Sequence, residues 1–219
     1  MVDRNNLFIK NALKLYFISG TNNVNKPLPE VLSEAISGGI TLFQFREKGD
    51  ASLTGRSKRE MALKLKQICQ ANQIPFIIND DVELALEIGA DGVHVGQTDA
   101  NGPFVREKIG DNKILGISAH TIAEAKQAVK DGADYIGVGP MYPTNSKADA
   151  EEACGPEMIS AMREEGITIP IVAIGGIDIH RTRGIAQAGA DGVSVISAIA
   201  SATSAKHAAE QFRLELEDL

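Results

Sequence analysis

The sequence predicts a closed eight-stranded parallel α/β barrel, (β/α)8, with an extra helix ahead of its first strand. Three observations carry this. A segment recurs as GADGVHVG from Gly89, GADYIGVG from Gly132 and GADGVSVI from Gly189. Five further short apolar runs bounded by Gly, Pro or Asn bring the strand candidates to eight, and helical patterns lie between them. The 219 residues suit one such barrel spanning 1–219, whereas an open doubly wound sheet needs fewer strands.

Taken in order, an amphipathic stretch at Asn5–Leu13 predicts the extra helix, and LYFIS at Leu15–Ser19 the first strand. The second strand is Thr41–Arg46, followed by a helix over Ser57–Ala71, and the third is Pro75–Asn79. The first GAD copy supplies the fourth strand. Lys113–Ser118 is the fifth, and the helix after it, Thr121–Lys130, opens with Thr121 and Glu124 at capping-box spacing. The second copy is the sixth strand. The polar stretch Tyr142–Ala153 then breaks both periods and reads as a long loop before a helix at Pro156–Glu165; it lies where a lid would be, and on composition alone a tolerated surface loop is the plainer alternative. Pro170–Gly175 is the seventh strand and the third GAD copy the eighth. In each copy the glycine ends a helix in the left-handed conformation and a β-branched run enters a buried parallel strand. The copies start 43 and 57 residues apart, too irregular for a solenoid, and no linker divides the chain.

Composition narrows the function. Apolar residues at 43% and charged residues at 23% are ordinary for a globular protein, which excludes disordered, collagen-like and coiled-coil classes. A net charge of −7 argues against a nucleic-acid surface, so any phosphate substrate must be held by local groups. Cys69 and Cys154 form no C-x-x-C pair, which points away from a disulfide framework or cysteine metal site and suits a reduced cytoplasm. The first residues do not read as a cleavable leader. The longest uncharged stretch, Gly192–Ala205, is too short and hydroxyl-rich to span a bilayer, so neither a membrane role nor a location outside the cytoplasm is expected. The composition is equally compatible with a homo-oligomer.

In a barrel of this kind, chemistry sits where strands end. Gln44, Arg46 and Lys48 alternate at the end of the second strand, so period two aims them at one face while Phe43 and Phe45 take the other. A glutamine and two cations at a barrel mouth suit an anion; a solvated strand end is the plainer alternative. Asn79, Asp80 and Asp81 follow the third strand, and His94, Gln97 and Asp99 the fourth. Asp80 and Asp99 can meet across neighbouring strand ends. Paired carboxylates need a cation between them, and hard oxygen ligands that leave room for water and phosphate suit Mg2+. Singly, each aspartate also fits a helix N-cap or turn. Ser118 ends the fifth strand, and Thr144, Ser146 and Lys147 occupy the loop after the sixth, all donors for phosphate oxygens. Gly175 and Gly176 follow the seventh strand, and Ile196 and Ser197 the eighth, where backbone N–H groups of such barrels commonly bind phosphate. The histidines at 94, 120, 180 and 207 have no metal-binding spacing. No G-x-S-x-G, P-loop or G-x-G-x-x-G is present.

Together QFREK at 44–48, NDD at 79–81, HVGQTD at 94–99, GISAHT at 116–121, GPMYPTNSK at 139–147, AIGGI at 173–177 and VSVISAI at 193–199 closely resemble the thiamine phosphate synthase family, nearly throughout the barrel. The resemblance implies a TIM-barrel transferase joining a pyrimidine diphosphate to a thiazole phosphate with Mg2+ and releasing pyrophosphate. It places Gln44, Arg46, Lys48, Asn79, Ser118 and Lys147 around the pyrimidine and diphosphate, Asp80 and Asp99 on Mg2+, Thr144 and Ser146 toward the thiazole side, and Gly176, Ile196 and Ser197 on the thiazole phosphate. Arg46, Lys48, Ser118 and Lys147 would assist departure of the diphosphate. Ser146 stands where the family pattern has threonine, keeping the hydroxyl. Two rivals share the scaffold: a thiazole tautomerase, which needs neither diphosphate clamp nor metal, and a non-catalytic phosphate sensor.

Overall fold

Period-two alternation in short parallel strands sorts their side chains between two cores. The computed structural model describes residues 6–97, 101–144 and 152–217. Helix α1 (Asn6–Leu13) leads into β1 (Leu15–Ser19), α2 (Leu28–Ser37), β2 (Leu42–Phe45), α3 (Gly55–Ala71) and β3 (Phe76–Asn79). Then come α4 (Val82–Ile88), β4 (Gly92–Val95), α5 (Gly102–Ile109), β5 (Ile114–Ala119), α6 (Ile122–Lys130) and β6 (Tyr135–Val138). The chain finishes with α7 (Glu157–Glu164), β7 (Ile171–Ile174), α8 (Thr182–Gln187), β8 (Gly192–Val195), α9 (Ser197–Ala200) and α10 (Ala205–Glu217). Every strand pairs in parallel with its sequence neighbour, and β1 meets β8 through Tyr16↔Ser194, so the sheet closes. Strand ends fall within one residue of the ranges read from sequence for β1, β2, β3, β5 and β7.

Outward-facing Phe17, Phe43, Phe45, Phe76, Ile78, Val93, Leu115, Ile136 and Val193 pack with Leu32, Leu65, Val105, Ile159 and Ile185 of the helix layer. Rings of Phe17, Phe43 and Phe76 run in series with centroids 5.5 and 6.0 Å apart. Fully burying one such side chain contributes about 1.5–3 kcal/mol. Inward-facing Tyr16, Ile18, Leu42, Ile77, Ile114, Tyr135 and Val172 form the second core, together with Ile9, Ala12 and Leu13 of α1. The extra helix therefore plugs the N-terminal end of the barrel.

Thr121 caps α6 by accepting from the Glu124 amide, while the Glu124 carboxylate reaches back one residue further than a capping box predicts, to the His120 amide.

The GAD repeat is a clamp on that N-terminal rim. Gly89, Gly132 and Gly189 take φ of 65, 79 and 101°, where L side chains are strained. The following aspartates turn back to the preceding strand: Asp91, Asp134 and Asp191 accept from the amides of Phe76, Leu115 and Ile171 at 2.8, 2.8 and 2.9 Å. In two copies an arginine completes the knot. Arg106 pairs with Asp134 at 2.7 Å and donates to the carbonyls of Gly132, Gly110 and Lys113. Arg163 pairs with Asp191 at 2.7 Å and donates to those of Gly189, Ile167 and Ile169.

Removing the Asp134 carboxylate leaves the Leu115 amide without its acceptor and takes an anionic partner from Arg106. Asp134→Ala should lower stability by about 2–3 kcal/mol, or roughly 4–12 °C in Tm. Because the residue lies at the rim opposite the strand C-termini, kcat should stay within about twofold of normal. Thermal unfolding alongside steady-state kinetics checks both; an unchanged Tm removes the clamp from the stability account.

Candidate active site

A cavity of about 860 Å3 opens at the C-terminal ends of the strands. That volume is in the range of small-molecule sites. Arg46 and Lys48 line it from the end of β2, as their alternation requires. Arg46 is only 8% exposed, and its amide is fixed to the Ser19 carbonyl at 3.0 Å. Glu47, between them, points the other way. Its carboxylate accepts from the Thr21 amide (2.8 Å), the Thr21 hydroxyl (2.5 Å) and the Leu53 amide (2.7 Å), tying the loops after β1 and β2 together.

Asn79 and Asp80 enter the cavity from the end of β3. Asp80 holds φ at 61°, a conformation that non-glycine residues seldom take, with its amide on the His94 carbonyl at 2.9 Å. Its Oδ2 lies 3.1 Å from Lys48 Nζ. Asp81 departs to a structural role: its carboxylate accepts from the Leu84 amide as the N-cap of α4 and pairs with Lys58 at 2.7 Å. Burial would raise the Asp81 carboxyl, but hydrogen bonds from Lys58 and the Leu84 amide outweigh it and hold the group below its ordinary value.

His94, Gln97 and Ser118 form the wall from β4 and β5, with His94 Nε2 at 3.0 Å from Ser118 Oγ. Gln44 departs from the sequence expectation. It is 1% exposed and lies beneath the floor, because its position on β2 is two residues short of Arg46, and its Nε2 donates to the Tyr16 hydroxyl at 2.6 Å. Across the cavity Thr144 lines the edge of the loop after β6, while Gly175, Gly176, Ile196 and Ser197 line the ends of β7 and β8. Asp99, Ser146 and Lys147, and the loop residues 145–151, lie outside the described residues.

The chain matches the family described as thiamine monophosphate synthase over residues 15–199. A thiamine-phosphate synthase of Geobacillus thermodenitrificans is 60% identical over 201 residues, which are 92% of this chain and 90% of that protein. One from Bacillus cereus is 55% identical over 199 residues, 91% of this chain and 88% of that one. The chain belongs to the thiamine monophosphate synthase family. A solved structure of thiamine phosphate pyrophosphorylase from Pyrococcus furiosus superposes with a TM-score of 0.85 at 35% identity, covering 96% of this chain and 98% of that one. Membership makes the chain a transferase of thiamine biosynthesis on a TIM-barrel scaffold. Among the described residues no helix is long and apolar enough to cross a membrane.

Several cavity residues of this family member escaped the sequence reading. Asn22 and Asn23 line the cavity from the loop after β1; GTNN directly after the first strand was a signal available to the strand-end rule. Arg181 also lines it. Its guanidinium lies 4.3 Å from the Tyr142 ring centroid, its Nη1 donates to the Gly176 carbonyl at 2.5 Å, and its Nε meets Asp178 at 3.1 Å. Nothing in one sequence marks that bridge between two loops. Ser194 Oγ is buried, faces the cavity and has no protein partner among the described residues. It is a hydrogen-bonding group for whatever occupies the floor.

Gly176 carries φ of 64°, and a Cβ there would lie 2.7 Å from the Tyr142 carbonyl oxygen and 2.8 Å from that of Pro143. Glycine therefore lets the loop after β6 settle on the turn after β7. Gly176→Ala should lower kcat/KM for thiazole phosphate at least about tenfold by displacing that loop. Steady-state kinetics at saturating pyrimidine diphosphate measures this, and a normal value would show that the close approach is dispensable.

Proposed function

We propose that this cavity couples a pyrimidine diphosphate to a thiazole phosphate, with the pyrimidine and diphosphate held on the β2–β5 side and the thiazole phosphate at the ends of β7 and β8. The observation that carries this reading is the grouping of Arg46, Lys48 and Asp80 at one side of a cavity whose opposite side is a paired-glycine turn. A thiazole tautomerase has no use for such a diphosphate clamp.

The reaction breaks the bond between the pyrimidine methylene carbon and the diphosphate oxygen, and its electron pair leaves with the oxygen. The thiazole nitrogen supplies the pair for the new C–N bond and becomes cationic. No proton has to move, so no general base is needed. What the protein must supply is positive charge where the leaving group gains negative charge. Arg46 and Lys48 supply it from just past the end of β2, and Lys147 from the sequence that follows β6. Asn79 and Ser118 orient the pyrimidine diphosphate, Thr144 and Ser146 contact the thiazole side, and backbone N–H groups at Gly176 and Ile196–Ser197 hold the thiazole phosphate.

The residues present fit Mg2+. Asp80 turns a hard oxygen donor into a cavity otherwise rich in cations, and Asp99 would be the second protein ligand. Mg2+ of this kind takes one or two carboxylates and completes its shell from phosphate and water. When bound, Mg2+ neutralises charge on the diphosphate. Lys48, within reach of Asp80, orients that carboxylate.

Asp80→Ala and Asp99→Ala should each cost about 3 kcal/mol of transition-state stabilisation, on the order of 100-fold in kcat/KM. The assay is Mg2+-dependent release of pyrophosphate, and near-normal rates at low Mg2+ in both variants would withdraw the metal assignment. On the acceptor side, thiazole alcohol forfeits at least two charge-assisted hydrogen bonds of about 1.5–3 kcal/mol each, on the order of 100-fold or more in kcat/KM relative to its phosphate. Equal use of the two acceptors would refute the phosphate site at the ends of β7 and β8.

A further inference from the structure

Five side chains inside the barrel form one hydrogen-bonded series. Gln44 Nε2 lies 2.6 Å from the Tyr16 hydroxyl, which lies 2.9 Å from the Tyr135 hydroxyl. Tyr135 is 3.0 Å from His94 Nδ1, and His94 Nε2 is 3.0 Å from Ser118 Oγ. The far end, His94 and Ser118, lines the cavity, whereas Gln44, Tyr16 and Tyr135 are at most 1% exposed and lie below it. The strands make room for the series: a Cβ at Gly116 would sit 2.2 Å from the Tyr135 ring and 2.4 Å from His94 Nδ1, and one at Gly137 would sit 3.1 Å from His94 Cε1.

We propose that Gln44, Tyr16, Tyr135 and His94 are positioning residues that fix the direction of this series, so that the Ser118 hydroxyl accepts from His94 and donates its own proton into the cavity. The amide nitrogen of Gln44 can only donate. Tyr16, having accepted from it, directs its single proton to Tyr135, and Tyr135 directs its own to His94 Nδ1. The neutral imidazole then carries hydrogen on Nε2 and donates to Ser118 Oγ. With that lone pair taken, Ser118 presents a donor to an oxygen or ring nitrogen of the substrate. Series of this kind polarise together, so one misdirected member reverses those beyond it. Burial pushes both phenols well above their ordinary range, so neither loses its proton under physiological conditions.

This inference rests on the reading that Ser118 contacts the pyrimidine diphosphate, and the tests separate the two. In the intact, unsubstituted protein labelled with 15N-histidine, NMR should show His94 neutral with hydrogen on Nε2 and Nδ1 as acceptor; hydrogen on Nδ1 overturns the proposal whatever the variants do. Tyr135→Phe should remove that signature and raise KM for pyrimidine diphosphate about tenfold while KM for thiazole phosphate stays within about twofold. Combined with Ser118→Ala it should be no worse than Ser118→Ala alone, because both act through one hydroxyl. Additive losses sink the proposal alone. A normal KM for pyrimidine diphosphate in Ser118→Ala sinks the assignment of Ser118 and the proposal with it.

Discussion

The pairing of β1 with β8 is the constraint on which the rest of this molecule depends. An open sheet would leave two edges of unpaired backbone and would spread the strand ends along a line. Closure curls that line into a ring. Because every strand is parallel, all eight C-terminal ends meet at one rim, and residues as far apart in sequence as Arg46, Ser118 and Ser197 face one cavity. The chemistry needs convergence of groups from several strands, and only the closed register Tyr16↔Ser194 supplies it.

The two rims divide the labour. At the N-terminal rim, charge is consumed internally: Arg106 and Arg163 spend their donors on carbonyls and on aspartates that also hold strand amides. At the C-terminal rim Glu47 takes its bonds from the loops after β1 and β2, while Arg46 and Lys48 line the cavity, Lys48 beside Asp80. A protein of net charge −7 repels phosphates at long range, so affinity for two phosphorylated substrates has to come from such aimed donors at short range.

Much of this was legible in the sequence, for identifiable reasons. Strand limits followed from apolar runs punctuated by Gly, Pro and Asn, because a buried parallel strand can hide little polarity on either face. The repeat was visible, and its glycines were read as left-handed helix ends, but the aspartate's turn back to the preceding strand amide was not, since that contact joins residues about 15–20 apart through a side chain. At the site, strand-end position singled out Arg46, Lys48, Asn79, Asp80, Ser118 and Gly176, all of which line the cavity. The same rule could not tell Asp80 from Asp81, because the difference is a backbone φ of 61° at the first and a helix cap at the second. It also could not place Gln44 below the floor. Period two gives the face a side chain points to and not its depth along the barrel axis.

That depth is where part of the interior turns polar. A hydroxyl or amide buried without a partner costs several kcal/mol, so barrel interiors favour aliphatic side chains. Here Tyr16, Gln44 and Tyr135 lie buried beneath the cavity with His94 in its wall, and Gly116 and Gly137 lack the side chains that would crowd Tyr135 and His94. Each polar group satisfies its neighbour, so the desolvation cost is offset only while the whole series is intact. Loss of one member therefore costs more than its own bond. The glycines within β5 and β6, which weaken a strand when judged by propensity, are the sequence trace of that arrangement.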